Sequence, residues 1–376
     1  MGNSGGAERV LADVASALVQ RGHDVTVLSY DRTDGHSYYS LDPQVGWIRL
    51  DIGSTSEPAS ILPTLRRILS LRQSVRAHDP DVVIGFMHSM FIPLGLALVG
   101  TGIPVVSSEH IVPEHYRSRP IESVLLRMAP YLSQCITCVS EQAKAKYPRS
   151  LRRKMVIVRN PLGMKPAGRA DACGTRVARK VLLSVGRLEP QKDHATLIEA
   201  FAEIAGDLTD WDLRIVGEGH LRPTLERLIA DRDLQGRVQL PGATKDIATE
   251  YVSAQLFVVP SLYESFGLTT AEALAHGLPA VGYSDCAGTN QLIRPGVNGD
   301  LVGGGSHRSA ALAKSLKRLM HDGALRTRLS QHSGVGLDDY RIEKVCDCWE
   351  EVLSRAMGRY EARPVNCSDD IWGKAR

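Results

Sequence analysis

Short apolar segments alternate along the chain with longer stretches in which apolar side chains recur every three or four positions. Residues 6–21 repeat apolar side chains at helical spacing, among them Val10 and Val14, which predicts an amphipathic helix. Residues 24–30 alternate with a period of two instead, which predicts a strand. The same criteria predict strands at 81–86, 104–108, 135–140, 156–159, 181–185, 213–216, 238–240, 256–260 and 279–283, and helices at 61–78, 89–99, 120–130, 193–206, 219–231, 246–253, 268–276, 307–321, 323–332 and 342–357.

Strands that alternate with helices are typical of βαβ units and parallel sheets. The alternation occurs twice, in residues 1–165 and in residues 166–345, and a polar, glycine-containing stretch at 163–176 separates the two series. The sequence therefore predicts an α/β protein with two doubly wound domains. Residues 346–376 are predicted to form a C-terminal helix and a mobile polar tail.

The first series begins inside a glycine-rich turn that runs from Gly2 to Gly6. A doubly wound domain ordinarily reaches this turn from its first strand. That strand is usually central, so its loss would leave its neighbours without a partner. We therefore expect the first strand to be missing, and an N-terminally shortened chain is our hypothesis.

Composition limits the class of protein. The chain has 376 residues, of which 43% are hydrophobic and 23% charged, as in folded globular proteins. Its net charge of +3 gives no reason to expect nucleic acid as a partner. No apolar run reaches the length of a membrane span, and the N-terminus lacks the apolar core of a signal peptide. These features predict a cytoplasmic protein.

The richest candidate chemistry lies where the strand at 256–260 gives way to the helix at 268–276. A helix start presents unpaired N–H groups and the positive end of the helix dipole, which suit a diphosphate, and Gly267 lets that anion approach the backbone. Glu264 and Glu272 bracket this start and could accept hydrogen bonds from hydroxyl groups on either side of the anion. Taken singly, each glutamate could equally be an ordinary loop or helix residue.

Two cations follow the strand at 181–185. Arg187 and Lys192 stand five positions apart in the loop before the next helix. Ligands of open α/β sheets bind at the carboxyl ends of strands, where two cations could neutralise a diphosphate in place of a metal ion. In isolation they would more often be surface charges.

These stretches resemble the retaining GT-B glycosyltransferases of the large family four. The resemblance rests on E-x7-E (Glu264 and Glu272), on G-R-L-x-x-x-K (Gly186 to Lys192) and on the opening G-G-A-E-R (Gly5 to Arg9). It implies the GT-B fold, in which two Rossmann-like domains face a central cleft, an N-terminal domain that binds the acceptor and a C-terminal domain that binds the nucleotide sugar.

The resemblance also implies roles for individual residues. His110 and Glu264 would contact the donor sugar as catalytic residues, and Glu272 would bind the ribose. The donor diphosphate would be held by a larger set, namely Gly5, Gly6, Arg187, Lys192, Gly267, Leu268 and Thr269. Without the resemblance, a histidine at the end of a strand is as easily a packing residue. Asn160 matches a turn that the family places near the cleft.

The chain departs from the family pattern in the stretch from Asp285 to Asn290, where many members have a Gly-Pro/Gly-x-Glu turn, and in Gln291, which replaces a common acidic residue. A related D-C-x-G-x-N form occurs in some members that assemble polysaccharides. We therefore interpret this departure as a subtype.

The resemblance implies transfer of a hexose-type sugar with retention of configuration, with no metal ion and no resident cofactor. The donor would be a nucleotide-diphosphate sugar, a UDP-sugar first and a GDP-sugar second. The acceptor would be a glycan or a lipid-linked sugar in the synthesis of cell-surface polysaccharide, lipopolysaccharide or glycolipid. Alternatives are a nucleotide-sugar epimerase or a phosphorylase on the same fold, and a non-catalytic copy that binds the donor.

A basic amphipathic segment at 64–76 carries Arg66, Arg67, Arg72 and Arg76 among leucines. Such a segment suits an anionic membrane surface, and it would place the protein at the inner face of the plasma membrane. An ordinary packed helix with a solvated arginine face fits the sequence equally well.

Overall fold

The computed structural model of the chain divides into two compact units. The residues that it describes are 5–52, 61–117, 119–163 and 168–359. The first unit consists of Met1–Gly163 and Asp339–Arg376, and the second is Met164–Asp338. The turn residues 2–4 and the tail at 361–376 lie outside the described residues, as do positions 164–167 of the predicted linker.

The first unit alternates strands and helices as the sequence predicts. Its elements before the linker are α1 Gly6–Gln20, β1 Thr26–Ser29, β2 Gly46–Arg49, α2 Ile61–His78, β3 Val83–Phe86, α3 His88–Leu98, β4 Val105–Glu109, α4 Pro120–Leu126, α5 Ala129–Leu132, β5 Cys135–Cys138, α6 Glu141–Ala145, α7 Arg149–Arg152 and β6 Met155–Ile157. The predicted helix 120–130 is two helices, because Pro130 stands in the first turn of α5 and cannot continue α4.

The strands of the first unit form two separate parallel sheets. Strands β3, β4, β5 and β6 pair in that order, and β1 pairs with β2. All five residues of β4 are buried, as expected for a parallel strand covered on both faces. Within the described residues, β1 and β3 each have a strand neighbour on one side only. The hypothesis of a missing central strand stays a prediction.

The second unit holds a single six-stranded sheet. Its elements are β7 Lys180–Val185, α8 His194–Ile204, β8 Trp211–Val216, α9 Arg222–Asp231, β9 Val238–Gly242, α10 Ile247–Ser253, β10 Leu256–Val259, α11 Leu268–Ala275, β11 Ala280–Tyr283, α12 Ala287–Asn290, β12 Gly299–Val302, α13 Arg308–His321 and α14 Gly323–Gln331.

The order of strands in this sheet brings two loops together. The order is β12-β11-β10-β7-β8-β9, and every pair is parallel. Strand β10 pairs with β7 through Leu256 and Leu182, both fully buried. The loops that follow β7 and β10 therefore leave the same edge of the sheet side by side, although more than 60 positions separate them in the chain.

The last helix, α15 Ile342–Ala356, returns to the first unit. Arg21 Nη1, just after α1, lies 2.7 Å from an oxygen of Asp347 and 2.8 Å from one of Glu350. Trp349, on the same helix, is 1% exposed. The second unit ends at Asp338 instead of the predicted residue 345, and α15 packs within the first unit.

Candidate functional site

The loop after β7 presents Lys192 at the carboxyl edge of the second unit's sheet. A 3₁₀ turn, Pro190–Lys192, ends the loop directly before α8. Gly186 makes room for the lysine, because a Cβ atom at this glycine would lie 3.2 Å from the Cδ of Lys192. The aliphatic part of Lys192 therefore packs over the end of the strand, and only 16% of its side chain is exposed.

The ammonium group of Lys192 forms an ion pair with Glu264 from the loop after β10. Ser261 Oγ donates a second hydrogen bond, of 2.9 Å, to the same carboxylate oxygen. Glu264 is 8% exposed, so its charge needs these partners. The two residues that the resemblance assigns to the sugar and to the diphosphate are thus in direct contact.

The N-terminus of α11 stands beside this pair in the chain. Gly267, the residue before the helix, has a φ of +87°, which L side chains rarely adopt. A Cβ atom there would meet nothing closer than 3.5 Å, so conformation and not crowding requires glycine. Among the described residues, Thr270 is the first of this helix to donate its amide to a backbone carbonyl, that of Gly267. The earlier amides of Leu268 and Thr269 are placed to face an anion.

Glu272 lies deeper in the same helix and is 3% exposed. The hydroxyl group of Tyr251 donates to Glu272 Oε2 at 2.8 Å. His276 packs against this tyrosine, and the two ring centroids lie 5.2 Å apart. The Nδ1 atom of His276 lies 2.8 Å from the backbone carbonyl oxygen of Glu272. A buried carboxylate is therefore oriented by a tyrosine that the sequence did not single out.

Arg187 does not join the ion pair of Lys192. Its side chain is 58% exposed, and its guanidinium donates to Glu189 Oε1 at 2.9 Å. Only one of the two predicted cations thus contacts Glu264. A role for Arg187 toward a diphosphate stays a prediction.

The departure at Asp285–Asn290 contains the short helix α12, which the sequence did not predict. Gly288 donates its amide to the carbonyl oxygen of Glu264 at 3.2 Å. A Cβ atom at Gly288 would lie only 2.7 Å from the Cβ of Glu264. Glycine at this position therefore lets α12 pack directly against the backbone that carries Glu264.

In the first unit, His110 follows β4 at the carboxyl edge of its sheet and is 9% exposed. Its Nε2 lies 2.8 Å from Ser108 Oγ. Its ring stacks on Phe86 with centroids 5.3 Å apart, and Phe86 contacts Trp349 of α15. Burial lowers the pKa of His110 to about 4, so the neutral imidazole is the form present at neutral pH.

Two buried polar atoms near the end of β4 lack a hydrogen bond of good geometry among the described residues. They are Nδ1 of His110 and Oδ1 of Asn160, whose side chain lies near enough to His110 to oppose part of the fall in its pKa. Buried polar atoms are ordinarily paired. Because the two side chains are neighbours, each can serve as the other's hydrogen-bond partner.

A chain of hydrogen bonds runs beside His110 from the interior to the surface. Tyr116 Oη lies 2.9 Å from Glu109 Oε2 and 2.8 Å from His88 Nδ1. His88 Nε2 lies 3.0 Å from Glu122 Oε2. Burial raises the pKa of Glu109 to about 7 and lowers that of His88.

The protons in this series of hydrogen bonds can be arranged in two consistent ways. In one, Glu109 is ionised and His88 carries two protons; in the other, Glu109 is protonated, Tyr116 donates to His88 and His88 donates to Glu122. Both arrangements hold the same number of protons. The directions of the two pKa shifts favour the second one near neutral pH.

The predicted glycines of the opening motif lie at the start of α1. Gly5 precedes the helix with φ −78° and ψ 151°, and Gly6 is its first residue. Arg9 donates its amide to the Gly5 carbonyl oxygen at 3.2 Å. The amides of the first turn are therefore the groups that this loop offers to an anion.

Comparison with known families identifies the chain. The profile described as "Glycosyltransferase Family 4" matches residues 4–162, and the profile described as "Glycosyl transferases group 1" matches residues 173–333. The chain belongs to this glycosyltransferase family. Its GT-B fold agrees with the expectation from the sequence.

Several known proteins match this glycosyltransferase over most of its length. An uncharacterized glycosyltransferase of Haemophilus influenzae is 26% identical and covers 94% of this chain and 97% of its own. A Campylobacter jejuni enzyme named GalNAc-alpha-(1->4)-GalNAc-alpha-(1->3)-diNAcBac-PP-undecaprenol alpha-1,4-N-acetyl-D-galactosaminyltransferase is 25% identical over 94% of this chain and 96% of its own. The crystal structure of Anabaena HepE in complex with UDP and glucose superposes with a TM-score of 0.77 at 21% identity, covering 94% of this chain and 97% of that one.

Sequence reasoning about this glycosyltransferase missed the residues that hold the predicted ones in place. Ser261 and Tyr251 contact Glu264 and Glu272 directly. Ser261 lies directly after the predicted strand 256–260 and three positions before Glu264, so its place was a usable signal. Tyr251 lies on α10, and no spacing in the sequence connects it with Glu272.

Proposed function

We propose that this glycosyltransferase moves a hexose from a UDP-sugar, or as second choice a GDP-sugar, to a glycan or lipid-linked acceptor with retention of configuration and without a metal ion. The observation that supports this proposal is the Lys192–Glu264 ion pair next to the N-terminus of α11. It combines a cation and free amides for a diphosphate with a carboxylate for sugar hydroxyl groups.

The reaction follows from where charge develops. As the bond between the anomeric carbon and the diphosphate oxygen breaks, negative charge grows on the diphosphate. Lys192 and the amides of Leu268 and Thr269 are placed to stabilise that charge. The acceptor oxygen bonds to the anomeric carbon on the same face, and its proton passes to an oxygen of the leaving diphosphate. Full activity in the presence of excess chelator is expected, and abolished activity would refute the metal-free reaction.

The relatives support the choice of donor and acceptor. Anabaena HepE was crystallised with UDP and glucose, and the name of the Campylobacter jejuni enzyme gives an acceptor linked through PP to undecaprenol. Other relatives are named for lipopolysaccharide core and amylovoran biosynthesis. We therefore place the chain's reaction in the synthesis of a cell-surface polysaccharide or glycolipid.

We also propose that the protein is cytoplasmic and that it touches an anionic membrane through α2. None of the helices in the described part of the chain combines the length and apolar character needed to cross a bilayer. Leu62, Leu65 and Leu69 are 71%, 51% and 64% exposed on this helix, and α2 contains no acidic residue. An exposed apolar stripe with basic neighbours suits the lipid interface.

Fewer arginines are exposed on α2 than the sequence predicted. Arg72 Nη1 donates to the carbonyl oxygens of Ala97 and Val99 at 2.6 and 3.0 Å, and Arg67 donates to that of Ile52 at 3.4 Å. These two arginines hold α2 to the rest of the first unit. Of the predicted set, Arg66 and Arg76 remain exposed.

A flotation assay with vesicles tests the membrane contact. Replacing Leu65 and Leu69 by serine should reduce binding to vesicles that contain anionic lipid and should leave binding to neutral vesicles at its low level. Gln73→Ser, on the same exposed face, is the matched control. If the wild-type protein does not float with anionic vesicles, the contact with the membrane is excluded.

A thermal-shift titration tests the donor. UDP should raise the melting temperature at micromolar to millimolar concentration, and GDP should do so less. A larger shift with GDP would indicate that the donor is a GDP-sugar and not a UDP-sugar. No shift with either nucleotide would contradict the proposed donor site.

A donor-binding protein without turnover is the second candidate, because the sheet of the first unit is divided between β1-β2 and β3 to β6. Incubation with UDP-sugars separates the possibilities. Binding followed by release of UDP supports transfer, binding with an epimerised sugar supports an epimerase, and release of sugar phosphate in the presence of inorganic phosphate supports a phosphorylase. Binding without any product supports the non-catalytic protein.

A further inference from the structure

Arg308, the first residue of α13, lies in the second unit at the sheet edge that carries Lys192 and Glu264. Only 15% of its side chain is exposed. The guanidinium carbon lies 3.6 Å from the ring centroid of Tyr283, at the end of β11. The hydroxyl group of Tyr283 in turn donates to the carbonyl oxygen of Arg308 at 2.9 Å. Arg308 is therefore held flat against the end of a core strand.

The edges of this guanidinium reach the loops that follow three neighbouring strands. Nη1 lies 3.0 Å from Asp285 Oδ2, in the loop after β11. Nη2 lies 3.4 Å from the carbonyl oxygens of Pro260 and Ser261, in the loop after β10. Nε lies 3.7 Å from Asp193 Oδ2, in the loop after β7. A lysine could not make this set of contacts, because its side chain ends in one nitrogen atom, whereas the three nitrogen atoms of a guanidinium group point in different directions in one plane.

Each of these contacts is one step from a residue of the donor site. Asp193 directly follows Lys192 and holds the left-handed conformation with φ +50°. Ser261 donates to Glu264. Asp285 begins the segment whose Gly288 packs against the backbone of Glu264.

We propose that Arg308 is a positioning residue that fixes Lys192 and Glu264 relative to each other by tying together the loops after β7, β10 and β11. The inference rests on the proposed donor-site role of Lys192 and Glu264. It also explains the departure from the family pattern, because Asp285 gives Arg308 a carboxylate partner. Both acidic partners of Arg308, Asp193 and Asp285, belong to the loops, so Arg308 acts on the loops and is not offered as a contact to the nucleotide.

The first test is hydrogen exchange in the protein without ligand. Leu262 donates its amide to the carbonyl oxygen of Gln191 at 2.9 Å, and this bond joins the loops after β10 and β7. In Arg308→Lys, the amides of Leu262 and Gly288 should exchange at least about tenfold faster, while amides in the core strands keep their protection. Unchanged exchange at both amides would overturn the proposal.

Arg318→Lys is the matched control. Arg318 lies on the same helix, but its side chain is 57% exposed, and its Nη2 contacts Asp300 Oδ2 at 2.8 Å, in strand β12 and not in one of the three loops. We expect this variant to exchange like the wild-type protein. Faster exchange in both variants would indicate that α13 as a whole has loosened, and the specific role of Arg308 would be lost.

The second test is a double-mutant cycle read by the calorimetric affinity for UDP. Arg308→Lys should weaken UDP binding by about tenfold in the wild-type background and by less than about threefold in the Lys192→Ala background, since residues that act through one another are non-additive. An equal loss in both backgrounds would show that Arg308 does not act through Lys192. If the wild-type protein binds no UDP, the proposed donor fails, and the exchange measurement still decides the role of Arg308.

Discussion

Lys192 and Glu264 lie 72 positions apart in the chain and form an ion pair at the centre of one sheet edge. Neither side chain is more than 16% exposed, so each charge depends on the other until a ligand arrives. A diphosphate would compete with Glu264 for the ammonium group. Glu264 would then be released to accept hydrogen bonds from the sugar, and donor binding would itself prepare the carboxylate.

Lys192→Ala should therefore weaken donor binding and slow turnover together. Loss of one group that stabilises developing charge typically costs about 10²–10³ in kcat. The measurement is the UDP-dependent thermal shift, followed by UDP release with the identified sugar donor. Lys317→Ala, which removes an exposed ion pair with Asp207, is the control. Turnover of Lys192→Ala near the wild-type rate would contradict the assigned role.

Tyr251 and Glu272 provide a test of ribose recognition. The tyrosine hydroxyl holds one oxygen of Glu272, and a carboxylate can accept several hydrogen bonds, including bonds from the hydroxyl groups of a ribose. Glu272→Ala should bind UDP and 2′,3′-dideoxy-UDP with nearly equal affinity, whereas the wild-type protein should prefer UDP. Tyr251→Phe should keep a reduced preference, because the removed hydrogen bond is worth about 1 kcal/mol. An unchanged preference in Glu272→Ala would exclude the ribose contact.

The regular elements of this chain could be predicted closely because most are long or strongly patterned. Helix α2 occupies the predicted 61–78 without change, and β7 begins one residue before the predicted 181–185. The elements that were missed are single turns or short strands, namely β2, α6, α7, α12 and β12. Four or five residues carry too little periodicity to distinguish a turn of helix from a loop.

The motifs indicated the donor site, but its contacts depend on strand order. Lys192 meets Glu264 only because β10 lies next to β7, and no local pattern encodes that neighbour relation. The same limit explains why Arg187 was grouped with Lys192, although its side chain turns to Glu189. Arg308 and Tyr251 reach the site from distant helices, so a sequence alone gives them no spacing to be recognised by.

Gly267 should be sensitive to a single added methyl group for conformational reasons. Its φ of +87° lies in the left-handed region, where an L-residue costs roughly 1–2 kcal/mol. Gly267→Ala is expected to lower the free energy of unfolding of the second unit by that amount and to reduce the thermal shift by UDP. Gly206→Ala is the control, because a Cβ atom there meets nothing within 4 Å. Equal stability of the two variants would argue against the strained turn.

Glu109 and His110 are adjacent and buried, and their pKa values move in opposite directions. Burial raises the pKa of Glu109 to about 7, so the folded protein keeps a proton that the unfolded chain loses above about pH 4.5. Stability therefore falls as the pH rises from about 4.5 to about 7. Burial lowers the pKa of His110 to about 4. Below about pH 6.5 this imidazole is therefore protonated in the unfolded chain but stays neutral in the folded protein until the pH approaches 4. Stability therefore also falls as the pH drops from about 6.5 to about 4, and the two slopes oppose each other where they overlap.

Glu109→Gln should remove the contribution of Glu109 to the pH dependence of stability and leave that of His110. Relative to the wild-type protein, the variant is expected to gain about 3 kcal/mol in the unfolding free energy of the first unit between pH 4.5 and pH 8, because a shift of one pKa unit corresponds to about 1.4 kcal/mol. Urea unfolding at several pH values measures this difference, and any offset from the altered hydrogen bond to Tyr116 does not depend on pH. Glu141→Gln removes an exposed carboxylate of the same unit and is the control. A difference that stays flat from pH 4.5 to pH 8 would show that Glu109 is ionised in the folded protein throughout, and the raised pKa of Glu109 would then be wrong.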